Sequence, residues 1–366
     1  MKNNTRREFI KTASAAAGAV FTGCCLTTAA KAAVEAKPAR RKVMVAGRHV
    51  RTIDVHAHVI IPAAAALLGA DKESVFVTVK GSREQALPIE ARFADMDKQG
   101  IDMEALSINP YWYSRGRDLT AEICKLQNEA LAEICAKHPD RFVAFASLPL
   151  QFPELAVEYL EHGVKKLGLR GAAIGGSVSG VDFSDAKFHP VWAKAEELGV
   201  LLFIHPQSTP ELNKRFKGNG WLANTIGNPL DTTIALSHLI FDGTLDKVPR
   251  LKVCAAHGGG YLPSYAPRSN HSCFVSPDGC DPSIVLKKQP TEYLKQLYFD
   301  SLVFTPEALR HIINQVGASQ IVIGTDHPIP WQEKSVDHIL ATPGLSDAQR
   351  IAILGGTAAR LLGIHS

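Results

Sequence analysis

The chain has 366 residues, 46% of them hydrophobic, and a formal net charge of +4. An α/β barrel takes about 250 residues, so one large core can be buried, and several of the basic residues fall within the first 42 positions, which leaves the remainder near neutral. No basic stripe is interleaved with aromatics, which argues against a nucleic-acid partner.

Residues 1–32 read as a targeting segment. Thr5-Arg6-Arg7-Glu8-Phe9-Ile10-Lys11 resembles the twin-arginine export signal, and a weakly apolar Ala/Gly stretch follows from Thr12 to Gly23. That stretch is too short to span a bilayer permanently. The expectation is export through the twin-arginine machinery to the periplasm. Cleavage near Ala30-Lys31-Ala32 would release a soluble protein, whereas Phe21-Thr22-Gly23-Cys24 resembles a lipoprotein processing site that would leave a lipid anchor on Cys24. Residues 33–50 read as a charged, Ala-rich linker, and 51–366 as the barrel domain.

From residue 52 onward short apolar runs alternate with longer amphipathic stretches. The runs 52–58, 103–108, 142–148, 168–174, 200–205, 251–257, 297–303 and 320–325 predict eight strands, the number a closed parallel barrel requires. Between them, 121–137, 153–167, 190–198, 230–241 and 306–316 repeat their apolar residues near every 3.6 positions, with Pro153, Pro190 and Pro306 near helix starts. The fold class is therefore α/β, a (β/α)₈ barrel, with a small β insertion after the first strand, suggested by the alternation of residues 75–80. Three connections, 59–90, 206–228 and 258–290, are longer than a barrel needs, and on a barrel such loops build the site. The cysteines outside the leader lack C-x-x-C spacing, which argues against a thiolate metal site. Cys124 and Cys135 stand about three helical turns apart, too far to bridge, Cys254 sits in an apolar run, and Cys273 with Cys280 is a candidate bridge in an oxidising compartment.

Five residues fall at the C-terminal ends of those runs: His56, His58, His205, His257 and Asp326. His56 and His58 lie two apart on one strand and point the same way. With His205 and Asp326 they offer three nitrogens and one oxygen, a donor set suited to one divalent metal, Zn²⁺ first and Mn²⁺ as an alternative. His257, on the strand between those of His205 and Asp326, reads as a general base and acid, with a fourth histidine ligand as the rival role. The Gly258-Gly259-Gly260 run behind it reads as room for a ligand near the backbone.

These residues carry a resemblance. Ile53-Asp54-Val55-His56-Ala57-His58, the run from Arg92 to Asp102, His205-Pro206, His257-Gly258-Gly259-Gly260 and Gly324-Thr325-Asp326-His327-Pro328 resemble the amidohydrolase superfamily, in its branch of aminocarboxymuconate-semialdehyde decarboxylase and related non-oxidative decarboxylases. The resemblance implies one divalent metal, usually zinc, held by His56, His58, His205 and Asp326. It also implies a catalytic pair of His257 and Asp326, with His257 transferring the proton. Strand four, 169–174, lacks the lysine that bridges two metals in larger members. Arg268 matches an arginine that reaches into a neighbouring subunit's site, which implies a homodimer; Arg83 is the second candidate for holding a substrate carboxylate. The function so implied is a metal-dependent decarboxylase of a small unsaturated or aromatic carboxylic acid, using metal-bound water and His257. A hydrolase of a lactone, ester or C–C bond shares every one of those parts and stays open, as does a non-catalytic periplasmic binding protein. The departures from the family are the export signal and the polar Gln207-Ser208-Thr209 after His205.

Overall fold

Runs rich in Val, Ile, Leu and Ala can be buried on both faces only in a parallel sheet covered by helices. The computed structural model describes residues 40–364 except 70, 73–77, 80–81, 84–86, 208 and 332–333, and in it each predicted run forms a strand of such a sheet. The strands are β1 (Ile53–His58), β2 (Met103–Ser107), β3 (Phe142–Ala144 and Ala146–Ser147), β4 (Gly171–Ile174), β5 (Leu201–Ile204), β6 (Lys252–Ala255), β7 (Leu297–Asp300) and β8 (Ile321–Val322). Every neighbouring pair is parallel, from β1 through β3 and from the second half of β3 to β8. The break at Phe145 lets β3 pair with β2 through its first half and with β4 through its second.

The seam between β8 and β1 is short. Isolated parallel bridges join Asp54 to Ile323 and Ala57 to His327, and Val55 N–H donates to the Ile323 carbonyl at 3.0 Å. The Asp54 carboxylate adds what the ladder lacks. It accepts from the Thr325 backbone N–H at 3.1 Å and from the Thr325 hydroxyl, and from His56 N–H at 2.9 Å. The barrel is thus closed by a side chain as well as by backbone.

Helices α1 (Ile89–Gln99), α2 (Arg117–Lys137), α3 (Pro153–Lys165), α4 (His189–Leu198), α5 (Asn228–Phe241), α6 (Leu262–Ser269), α7 (Pro306–Val316) and α8 (Thr357–Leu362) cover the sheet. Pro153 and Pro306 open α3 and α7, where a missing N–H goes unneeded, and the Thr305 hydroxyl caps α7 by accepting from Ala308 N–H at 3.2 Å. One apolar cluster fills the space between sheet and helices, including Trp112, Trp192, Leu131, Leu160 and Leu236. A second contains Ile53, Val55, Met103, Phe145, Leu201, Phe203 and Cys254. Phe145 and Phe203 stack within it at 5.8 Å.

One departure from the sequence reading stands out. The linker expected over 33–50 is a fold element in its described part: Met44–Val45 pairs antiparallel with Arg48–His49, Val43, Val45 and Val50 are buried, and Arg41 N–H donates to Asp97 O at 3.0 Å. Its apolar residues alternate over too few positions to stand out from an Ala-rich stretch. The insertion after β1 is a hairpin of Thr78–Val79 with Ser82–Arg83, so the backbone of Arg83 lies in it. The export leader falls outside the described residues.

Candidate metal centre

Pleating alone does not bring His56 and His58 to the interior. Ile53 and Val55 lie in the inner apolar cluster, and a register shift follows, with Asp54 opposite Glu104 but Ala57 opposite Leu106. One extra residue in β1 is a bulge, a device that re-aims side chains beside sites. Beyond it His56 meets the Phe203 ring at 5.2 Å and His58 meets the His205 ring at 4.4 Å.

The donor atoms of His56, His58, His205 and Asp326 all lie within 4.8 Å of one another, and all four residues are buried. Asp326 Oδ1 is 3.2 Å from His56 Nε2, 3.0 Å from His58 Nε2 and 4.0 Å from His205 Nε2. His56 Nε2 and His58 Nε2 are 3.1 Å apart.

What surrounds the rings fixes which nitrogen faces inward. His56 Nδ1 lies 2.6 Å from Asp300 Oδ2. Asp300 Oδ1 accepts from Gly258 N–H at 2.9 Å and Leu302 N–H at 3.1 Å. Ser107 donates its hydroxyl hydrogen to the Ala57 carbonyl at 3.0 Å, so at His58 Nδ1, 3.0 Å away, it accepts. Both Nδ1 atoms therefore carry hydrogen, and both Nε2 atoms turn toward the centre of the cluster, the outer-shell arrangement that orients metal-binding imidazoles. Both ring nitrogens of His205 are buried without a hydrogen-bond partner. Buried polar atoms without partners are costly, and a divalent cation satisfies this donor set of three imidazoles and one carboxylate.

Charge follows the same pattern. Against burial, the Asp326 and Asp300 carboxylates raise the His56 imidazole to about 10. Burial pushes His58 below its usual range, and burial with the neighbouring imidazoles pushes His205 well below it. Asp326 stays far below the usual carboxylate range despite burial, because His56 and His58 face it.

His257 borders the cluster, with its ring 5.1 Å from His56 and 5.3 Å from His205. Its Nδ1 is buried without a partner, and burial followed by the charge on His56 brings it down to about 4. The glycines behind it do not make room for a ligand. A Cβ on Gly258 would lie 2.5 Å from Val303 Cγ1, one on Gly259 2.5 Å from Phe299 Cδ1, and one on Gly260 2.0 Å from the Pro229 carbonyl. They let the chain pack against protein, and this corrects the expectation.

Arg268 is exposed on α6, in a region that also exposes Tyr265 and Phe274, and the structure does not bring it into the cluster. Sequence reasoning missed Asp300, Ser107 and a buried charge network. In that network, Arg92 Nε and Nη2 donate to Glu104 Oε2 at 3.0 and 2.8 Å, and Nη1 donates to the His58 carbonyl at 2.8 Å. His327 Nδ1 meets Glu104 Oε1 at 2.6 Å. Despite burial, Arg92 and His327 hold Glu104 down at about 2. Asp300 carried one signal: like the donors, it ends an apolar run.

Residues 53–364 match the amidohydrolase family. The chain is 31% identical over 280 residues to 2-amino-3-carboxymuconate-6-semialdehyde decarboxylase from Dictyostelium discoideum, covering 75% of this chain and 76% of that protein. It resembles the crystal structure of 2,6-dihydroxybenzoate decarboxylase complexed with 2,6-dihydroxybenzoate at TM-score 0.75 and 27% identity, over 86% of this chain and 100% of that one. It also resembles a dihydroxybenzoic acid decarboxylase from Polaromonas sp. JS666, solved with bound manganese and the inhibitor 2-nitroresorcinol, at TM-score 0.73 and 27% identity over 86% and 97% of the two chains.

Proposed function

The chain belongs to the amidohydrolase family, and from that premise we propose that it is a metal-dependent decarboxylase of a small aromatic or unsaturated carboxylic acid. The observation that carries this reading is the buried convergence of His56, His58, His205 and Asp326 within 4.8 Å, with His257 beside it. These four residues are the metal ligands, for Zn²⁺ or Mn²⁺. The cation supplies Lewis-acid stabilisation of developing negative charge.

The protein's own groups do the rest. Loss of CO₂ leaves an electron pair on the ring or chain carbon, and one proton must replace the carboxyl group there. His257 delivers it. Neutral at pH 7 by virtue of its lowered pKa, the imidazole takes up a proton and then passes it on, as a base and then an acid. Asp300 holds His56 in one tautomer through Nδ1, and Ser107 does the same for His58. The hydrolytic alternative uses the same groups; the decarboxylase names of the relatives favour C–C cleavage.

We further propose export by the twin-arginine route to the periplasm as a soluble protein, with a lipid anchor at Cys24 as the alternative. Supporting this, Cys273 and Cys280 form a disulfide, a bond at home in oxidising compartments. A homodimer that carries Arg268 of one copy toward the other's substrate accords with the exposure of that arginine. Arg83, whose side chain lies outside the described residues, is the second candidate for holding the carboxylate. Metal analysis followed by CO₂ release from aromatic and muconate-type acids tests the central reading. Stoichiometric metal without CO₂ from any acid, alongside ester or lactone hydrolysis, would overturn it.

A further inference from the structure

We propose that Asp231 is a positioning residue: it holds the ligand His205 in place by anchoring the backbone that follows it. The inference rests on the metal-dependent reading of the site and adds to it a residue outside the donor cluster. His56 and His58 are turned by Asp300 and Ser107 through their Nδ1 atoms. His205 has no such partner, since neither of its ring nitrogens makes a hydrogen bond. Its orientation must then come from ring packing, at 4.9 Å from His56 and 4.4 Å from His58, and from the backbone on either side. On the near side β5 is held, with His205 N–H donating to Ile174 O at 2.9 Å and Ala256 N–H to Ile204 O at 3.0 Å. On the far side Pro206 has no N–H to give. The first backbone donor beyond His205 is therefore that of Gln207, and it goes to Asp231 Oδ2 at 2.9 Å.

The strand ends around this bond are shaped to receive it. Asp231 comes from the first turn of α5 and is buried. Two glycines follow β4, and the side chains they lack leave the space that the bond occupies. A Cβ on Gly176 would lie 2.2 Å from Asp231 Oδ2, and one on Gly175 2.8 Å from Gln207 Oε1. Neither glycine sits on left-handed backbone, so clearance is what each supplies. The Gln207 amide in turn donates from Nε2 to the Pro110 carbonyl, and Gly175 N–H donates to the Tyr113 hydroxyl at 3.4 Å. The loops after β2, β4 and β5 are thus tied together next to one metal ligand. Burial pushes the Asp231 carboxyl up to about 6, the Glu211 and Asp182 carboxylates add to the rise, and the Gln207 N–H opposes it. An acid kept under that pressure is costly unless its hydrogen bond is needed. The polar Gln207, a departure in the sequence, finds its use here.

The test follows Zn²⁺ affinity of the full chain by competition with a chelator, and the visible absorption of the Co²⁺-loaded chain, which reports ligand geometry. Asp231→Ala should lower Zn²⁺ affinity about 10–100-fold and shift the Co²⁺ band. Asp231→Asn keeps an oxygen for the Gln207 N–H and should hold affinity within about threefold of wild type. Gly176→Ala leaves Asp231 in the chain but pushes its carboxylate aside, and should reproduce the Asp231→Ala loss even where that variant does not fold. In a His205→Ala background, Asp231→Ala should cost no further Zn²⁺ affinity, because changes that act through one group do not add; a merely structural loss would add. The proposal is overturned if Asp231→Ala and Gly176→Ala bind Zn²⁺ as wild type does, if Asp231→Asn loses as much as Asp231→Ala, or if the loss persists without His205. A wild-type chain that takes up no divalent metal would instead sink the reading of the site on which this one stands.

Discussion

Two buried charge clusters lie back to back in this barrel, sharing the neighbours Asp326 and His327, and they are built on opposite principles. In the Arg92–Glu104–His327 cluster both carboxylate oxygens of Glu104 are engaged, and Arg92 donates from three nitrogens. In the donor cluster both nitrogens of His205 and Nδ1 of His257 have no hydrogen-bond partner. Burial is nearly complete in both, so it does not distinguish them. In the first cluster only His327 Nε2 lacks a hydrogen bond, and it faces the Asp95 carboxylate at 3.6 Å; such pairing ties β1, β2 and the end of β8 together, whereas a cluster whose imidazole nitrogens and carboxylate converge on a common point is made for something not supplied by the chain.

That contrast can be broken by mutation. The largest effect should come from His257→Ala, which removes proton transfer but no ligand: turnover should fall by about two to four orders of magnitude while metal content stays near wild type. Surviving turnover would mean that another group moves the proton. In the paired cluster Glu104→Ala strands two buried cations and should destabilise the fold by about 3–5 kcal/mol, read by denaturant unfolding. A loss as small as that of a surface substitution would show the pairing to be incidental.

Smaller effects sharpen the comparison. Asp300→Asn weakens the hold on His56 and should lower metal affinity about 10–100-fold, measured by competition with a chelator, with little change in fold stability. The pH dependence of metal uptake gives the finest test. His56 keeps its proton up to about 10, and a ligand imidazole must give it up, so metal binding below that pH releases a proton. Apparent affinity should rise with pH, about tenfold per unit for one proton exchanged. A flat profile would place the displaced proton elsewhere.

Much of this could be read in the chain because the barrel repeats one device. An apolar run ends, and the next side chain faces the mouth. Seven of the eight predicted strands reappear as uninterrupted runs, and β3 breaks only at Phe145. The donors His56, His58, His205 and Asp326 announced themselves by that position. What could not be read depends on distant pairing. Asp300 is 244 positions from the histidine it orients, and Glu104 is 223 from His327. The β1 bulge depends on the register of β2. The Gly258–Gly260 run misled because glycine marks close approach without saying whether protein or ligand approaches.

The seam stitched by Asp54 and Thr325 also joins segments far apart in the chain. Asp54 and Thr325 are 271 positions apart, so His56 and His58 are synthesised well before Asp326. A cation held by all four donors would therefore require β1 and β8 to have met.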